Sequence, residues 1–294
     1  MTMECPACRS VTPAGGGEAS ARTVDAGAIG SSRRESPPIT LATCPSCGLG
    51  WQVHPPGAEA LDAAYASLRD ETYVAEGDNR RRTFERGQRL VRRYAPPPSV
   101  DLLDVGCSAG LFLEVAMAAG WNAWGIEPST WLSERAKAQV GDRVVTAKFD
   151  DAAVAGRQFD VVTMWDVLEH VPDPGGFLGT ARRALRPGGV LALNVPARDT
   201  WVASLLGGKW PLILPEHLFY FSRPSLTQWL TRAGFDVLGF HAHVVEFSLA
   251  YILHRLGQPG WPLAGAVQGP AVQTPVRIPL LMGEVTVVAR SRRE

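Results

Sequence analysis

Lysine is almost missing from this chain. Of 29 basic residues only Lys137, Lys148 and Lys209 are lysines. Net charge is missing as well, because 29 acidic residues balance the basic ones. Such a chain has no overall field with which to gather nucleic acid, and this argues against a nucleic-acid partner. Long apolar runs are absent. Stretches such as FSLAYIL (247–253) fall far short of the roughly 20 residues a membrane helix needs. The opening MTMECPACRS has no apolar segment of the kind a secretory leader carries, so the expectation is a cytoplasmic, reducing setting. Cysteine is scarce at five residues, and in that setting thiols are read as ligands rather than disulfides. With 46% hydrophobic residues, 294 residues can bury one large core and carry a smaller module.

Four of the five cysteines stand in two pairs, Cys5 and Cys8 in CPAC, Cys44 and Cys47 in CPSCG. Two C-x2-C knuckles supply four thiolates tetrahedrally, which predicts a structural Zn²⁺ in a module spanning 1–57. The spacer between the pairs is rich in Gly, Ser and Pro and reads as loop around one short hairpin. This module holds four arginines against four acids, so a nucleic-acid finger lacks the surplus charge it needs. Residues 58–99 read as a helical connector or lid. Phe84, Leu90, Val91 and Tyr94 give its second helix an apolar face, and APPP ends it.

From residue 100 onward strands and helices alternate. Strands are predicted at 100–105, 122–127, 143–147, 159–165 and 189–195, with helical segments between them. Asp173 is placed as an N-cap with Pro174 at the first helical position, and Ser222 as the cap of a later helix with Leu226, Trp229, Leu230 and Ala233 on one face. Alternation of this kind implies a mostly parallel sheet with helices on both faces, and a ligand at the strands' carboxyl ends.

The first strand runs into a glycine turn, DLLDVGCSAGLFLEV (101–115). A dinucleotide fingerprint needs glycine at the third and sixth places counted from Gly106, where this chain has Ser108 and Leu111. Asp104, just before the turn, would also sit close to a pyrophosphate. A ligand with an ammonium, a carboxylate and a sulfonium but no phosphate suits the turn better, and S-adenosylmethionine (SAM) is such a ligand.

At LLDVGCSAG the sequence resembles the class I SAM-dependent methyltransferases, small-molecule branch, which includes quinone-biosynthesis and sugar methyltransferases. NAWGIEPS, FDVVTMWDVLEHVPDP, LRPGGVLALNVP and PEHLFYFSRPSLTQWLTRAGFDV resemble the motifs that follow, and GEVTVVARS the last, antiparallel strand. The resemblance covers about 100–294. It implies a Rossmann-like α/β fold with a seven-stranded, mostly parallel sheet, and SAM as the cofactor. It also implies that Asp104, Gly106 and Gly110 shape the cofactor turn, with Cys107 and Ser108 inside it, and that Glu127 accepts hydrogen bonds from the ribose hydroxyls. Ser108 replaces the family's middle glycine, so its backbone is expected to avoid a strongly positive φ.

Other site residues are read from position. Asp150 or Asp151, after the third strand, is a candidate for the adenine amino group. Trp165 and Asp166 end the fourth strand, where a carboxylate and an aromatic face favour a sulfonium. His170 and His217 are alternative general bases for an oxygen nucleophile, and Asn194 a group that could orient the acceptor. Cys107 reads as a small apolar filler. The fourth strand's end lacks the Asn/Asp-Pro-Pro-Tyr element of amine-methylating enzymes on DNA and protein.

The apolar, proline-broken stretches within 196–281 are expected to build the acceptor pocket. Their character suits an aromatic or lipid-like molecule and allows contact with a membrane surface. The leading expectation is transfer of a methyl group from SAM to a small-molecule acceptor, on O, C or N, in bacterial biosynthesis. An RNA methyltransferase that grips its target with the zinc module, and a SAM-binding scaffold without turnover, are the alternatives. The acceptor, any need for Mg²⁺ and the oligomeric state stay open.

Overall fold

In the computed structural model the described residues are 3–12, 22–24, 39–69, 77–95, 100–248 and 277–293. Strands β1 (Met3–Glu4), β2 (Val11–Thr12), β3 (Arg22–Val24), β4 (Ile39–Thr43) and β5 (Gly50–Gln52) form the amino-terminal part. Helices α1 (Ala58–Ala66) and α2 (Gly77–Arg92) follow. The alternating region then comprises β6 (Asp101–Val105), α3 (Leu111–Ala118), β7 (Asn122–Glu127), α4 (Thr130–Val140), β8 (Val144–Thr146), β9 (Phe159–Trp165), α5 (Pro174–Ala184) and β10 (Leu185–Pro196). The carboxyl-terminal part holds α6 (Trp201–Leu206), β11 (Phe219–Tyr220), α7 (Arg223–Arg232), β12 (Phe235–Ala242), β13 (Val245–Ser248), β14 (Arg277–Leu280) and β15 (Glu284–Ser291).

Seven strands make one sheet in the order β12-β15-β10-β9-β6-β7-β8, and β15 runs antiparallel to both of its neighbours. The strands read as near-continuous apolar runs because both faces are covered. Side chains alternate between the faces. Leu103, Val105, Val162 and Met164 feed one buried cluster, and Leu102, Val161 and Ala192 the other. Phe84 and Val91 of α2 join the second cluster, with Leu90 and Tyr94 packed against it. The arginines of that helix are not simply solvated. Arg81 pairs with Glu114, and Arg86 with the buried Glu246 at 2.6 Å.

The chain moves outward from β6 through β7 to β8, then crosses back to β9 and β10 on the other side. β6 and β9 lie side by side with opposite exits, and a crevice opens above their carboxyl ends. The local signals for the flanking helices hold. Asp173 accepts from the Gly176 N–H at 3.0 Å, and Ser222 caps α7 in a reciprocal pair with Ser225. Leu226, Trp229 and Leu230 are buried as the spacing requires, with Ala233 packed beside them. RPGG (186–189) follows α5 without a loop as the opening of β10, with a register irregularity between Leu185 and Val190.

The cysteine knuckles pack into the main fold. Cys5, Cys44, Cys47 and Leu49 are buried in the first cluster. β5 pairs antiparallel with β11, in a four-stranded sheet of order β11-β5-β4-β3. Ser222 Oγ donates to the Cys47 carbonyl. The stretch 249–276, to which part of the acceptor pocket was assigned, lies outside the described residues.

Candidate functional site

A cavity of about 720 Å³ sits at the carboxyl ends of β6, β7 and β9, within the range of small-molecule sites. One end is lined by Gly106, Ser108, Ile126, Glu127, Leu132 and Phe149. There β6 turns into α3 with Gly106 and Gly110 both left-handed, at φ +71° and +86°. A side chain at Gly106 would lie 2.8 Å from Val167, so space as well as conformation requires glycine. Glu127 is buried with both oxygens in use: Oε2 accepts from the Ser108 N–H at 2.9 Å and Oε1 from the Ser129 N–H at 2.8 Å. Burial pushes its carboxyl up, and the two backbone donors oppose that shift. Each oxygen retains a second lone pair for a ligand hydroxyl.

Ser108 corrects the expectation made for it. Its φ is +49°, in the left-handed region. Such a conformation costs a non-glycine residue about 1 kcal/mol, and here the N–H bond to Glu127 holds it in place. Asp104 is buried beneath the turn and accepts from Thr163 Oγ1 at 2.7 Å, and burial raises its carboxyl to about 8. Cys107 is buried as a filler. A side chain on Gly125 would come within 2.5 Å of its sulfur, and burial pushes the thiol well up.

The other end of the cavity is acidic and imidazole-rich. Asp166 has φ +55° and is held by Asn194, which accepts from its N–H at 2.9 Å and donates to its carboxylate at 2.6 Å. Past it a 3₁₀ turn, Leu168–His170, presents Glu169 and His170, and the segment before β11 presents His217. His170 Nδ1 bonds the Glu216 carbonyl at 2.9 Å, and His217 Nδ1 the Leu212 carbonyl at 2.8 Å. A carbonyl only accepts, so Nδ1 carries the hydrogen in both rings and Nε2 has the free lone pair. Burial lowers both pKa values, and His170 lowers that of His217 further, so both imidazoles are neutral. The ring centroids are 4.7 Å apart.

Glu169 is buried, and among the described residues neither of its carboxylate oxygens has a hydrogen-bond partner. Burial and then Asp166 push its carboxyl well up. Glu284, at the start of β15, lines the same end, and burial followed by Asp166 raises it too. One ligand atom each from Glu169, His170 and His217 lies within 4.8 Å of the others. Three lone-pair groups, two of them buried and His170 half-buried, fit a divalent cation. Tyr65 of α1 closes over this end. Its ring meets His170 edge-on at 5.8 Å, and its buried hydroxyl has no partner among the described residues.

In the cysteine module Sγ–Sγ distances of 3.5 Å (Cys5–Cys47) and 3.4 Å (Cys8–Cys44) approach the ~3.8 Å edge of a tetrahedron with Zn–S of ~2.3 Å. The two knuckles share one shape. The residue four after the first cysteine of each, Arg9 and Gly48, is left-handed and returns its N–H to that cysteine's carbonyl at 2.9 Å. Burial pushes the Cys5 thiol up to about 11. At Cys44 the burial is outweighed by Ser10 Oγ and the Cys47 backbone, which bring it down to about 6. This donor set fits a thiophilic metal.

The family model for a methyltransferase domain matches residues 78–239, more than half of the chain. The chain belongs to that family. A ubiquinone biosynthesis O-methyltransferase of Methylococcus capsulatus is 33% identical over 150 residues, 47% of this chain and 63% of that protein. One from Coxiella burnetii is 30% identical over 166 residues, 51% of this chain and 71% of that protein. The match thus spans less than two thirds of the Methylococcus relative's length. Among solved structures, a SAM-dependent methyltransferase of Thermotoga maritima superposes with a TM-score of 0.50 at 17% identity, over 76% of this chain and 94% of that one. A chain of a Haloferax volcanii complex containing the Trm112 methyltransferase activator gives 0.55 at 18%, over 77% and 100%. Both establish the fold: the Rossmann-like, mostly parallel seven-stranded sheet expected from the motifs.

Of the residues singled out in the sequence, Gly106, Ser108, Glu127, Trp165, Asp166, His170 and His217 line one cavity, with Asp104, Cys107 and Gly110 packed around its turn. Asp150 and Asp151 are not among the lining residues. Asp150 caps Ala153 at 2.9 Å, and the exposed Asp151 pairs with Arg183 at 2.7 Å. Trp165 packs between Phe84 and Phe112 and forms the wall between the core and the cavity. Sequence reasoning missed Glu169, Tyr65 and Glu284. Glu169 had a signal in standing beside His170 in DVLEH, whereas Glu284 had none, because β15 brings it in from the far end of the chain. Among the described residues no helix is long and apolar enough to cross a membrane.

Glu127→Ala removes the acceptor of two backbone donors and of the expected ribose hydroxyls. It should weaken SAM binding at least about a hundredfold in a calorimetric titration. Unchanged affinity would remove Glu127 from the cofactor site.

Proposed function

We propose that this methyltransferase moves the methyl group of SAM to an oxygen of an aromatic small molecule, with a divalent cation at Glu169, His170 and His217. The unpartnered Glu169 carboxylate beside two neutral, Nδ1-protonated histidines carries the reading. The named O-methyltransferase activity of its relatives supports it, as does the apolar wall of Leu61, Tyr65, Phe177, Leu212 and Leu214 at this end. SAM would lie along the β6 turn, its ribose on Glu127 and its sulfonium toward Asp166. Of the two roles open to His170 and His217, ligand is favoured over general base, because a base needs no third buried lone pair at its side. When bound, such a cation lowers the pKa of a hydroxyl it contacts. The chain itself fixes the imidazole tautomers, keeps water out and sets the acceptor oxygen against the methyl carbon. The acceptor gives up its hydroxyl proton to solvent on binding; as its oxygen forms the C–O bond, the C–S bond breaks with its electron pair left on sulfur, and S-adenosylhomocysteine leaves.

Catechol and hydroquinone-type acceptors should take label from methyl-labelled SAM. EDTA should abolish the transfer and Mg²⁺ or Mn²⁺ restore it, and Glu169→Ala should cost about a hundredfold or more. Transfer indifferent to EDTA would return His170 and His217 to the base role. Absence of transfer to every hydroxylated aromatic tried would overturn the acceptor class.

We also propose that the four cysteines hold zinc. Purified protein should contain one zinc per chain by mass spectrometry, and Cys44→Ser should release it. A folded, metal-free wild type would refute that assignment.

A further inference from the structure

We infer that the cysteine module is a positioning element of the active site, and that it acts through Gln52. The inference rests on reading His217 as an active-site group. Gln52 ends β5, only 6% exposed, and its side-chain amide donates twice, to the Pro215 carbonyl at 2.8 Å and the His217 carbonyl at 2.9 Å. Its backbone N–H donates to the Leu218 carbonyl at 2.9 Å. One residue of the module therefore holds three of the four carbonyls of 215–218. The fourth, that of Glu216, accepts from His170 Nδ1. On the opposite side Leu218 donates its N–H to the Glu169 carbonyl at 2.8 Å. This short segment is clamped between β5 and the turn that presents Glu169 and His170, and its path sets the position of His217 and the tautomer of His170.

The clamp is tied to the cysteines through the chain. Cys44 to Leu49 form the turn between β4 and β5, closed by the Cys44 N–H on the Leu49 carbonyl at 2.8 Å and the Gly48 N–H on the Cys44 carbonyl at 2.9 Å. Fixing Cys44 and Cys47 fixes the register of β4 on β5, where Leu41 faces Gln52. Among the described residues the hydrogen bonds of this path lead to the 215–218 segment and the turn bearing Glu169 and His170, and Glu127 takes part in none of them. The module is therefore tied by hydrogen bonds to the acceptor end of the cavity. Its place in the sequence, 165 residues before His217, gives no hint of this.

Gln52→Leu tests it, since leucine fills the space and donates nothing. We expect SAM affinity and zinc content to be unchanged. In EDTA-treated protein with its zinc verified, histidine-ring NMR should lose the protected Nδ1–H signals of His217 and His170, and turnover should fall about a hundredfold with little change in the KM for SAM. Gln52→Met, which keeps the stem and removes the donors, gives the same reading should the leucine variant not fold. Retention of both ring signals and of turnover in a folded variant would show that Gln52 only fills space. The ring signals report on the clamp even if no acceptor is ever methylated, so failure of the proposed reaction and failure of this inference are separable.

Discussion

The site depends on one topological constraint, the reversal between β6 and β9. Neighbouring parallel strands whose connections leave in opposite directions cannot have their carboxyl ends covered by the helices that pack the faces. The peptide groups, Asp104 and Glu127 below that gap must find partners elsewhere. Glu127 takes two backbone N–H groups and Asp104 takes Thr163, and the turn they support is left open to a ligand. The left-handed residues at Gly106, Ser108 and Gly110 follow from bending the chain sharply over this support.

Electrostatics divides the cavity into two ends. At the cofactor end the carboxylate is satisfied, its oxygens anchored by backbone donors. At the acceptor end Glu169 and Glu284 are buried near Asp166 with their carboxyls pushed up, and both histidines are held neutral. Such a group is costly unless something positive joins it, whether a sulfonium passing through or a resident cation. The segment carrying His217 is supported by a strand of the cysteine module, and this ties the two cysteine knuckles to the cavity.

The cofactor half was legible in the sequence because its parts are neighbours in the chain. The turn 104–110 is one continuous stretch, and Glu127 follows from the next strand's end. The alternation of strands, the caps at Asp173 and Ser222 and the face of α7 were readable for the same local reason. The acceptor half was legible only in pieces. His170 and His217 stood out by residue type, but their contact joins two distant stretches of chain, the second of them held by Gln52 and by the pairing of β5 with β11. Glu284 and Gln52 arrive through long-range strand pairing that no periodicity encodes. The backbone of Ser108 was misjudged because a glycine-like conformation was assumed to require glycine, whereas a hydrogen bond to Glu127 holds a small residue there.

The gap above β6 and β9 is where SAM should bind. Calorimetric titration of purified, metal-checked protein with SAM and with S-adenosylhomocysteine tests it most directly. One site per chain is expected for both, competing with each other, at micromolar dissociation constants. A folded, zinc-loaded protein that binds neither would contradict it.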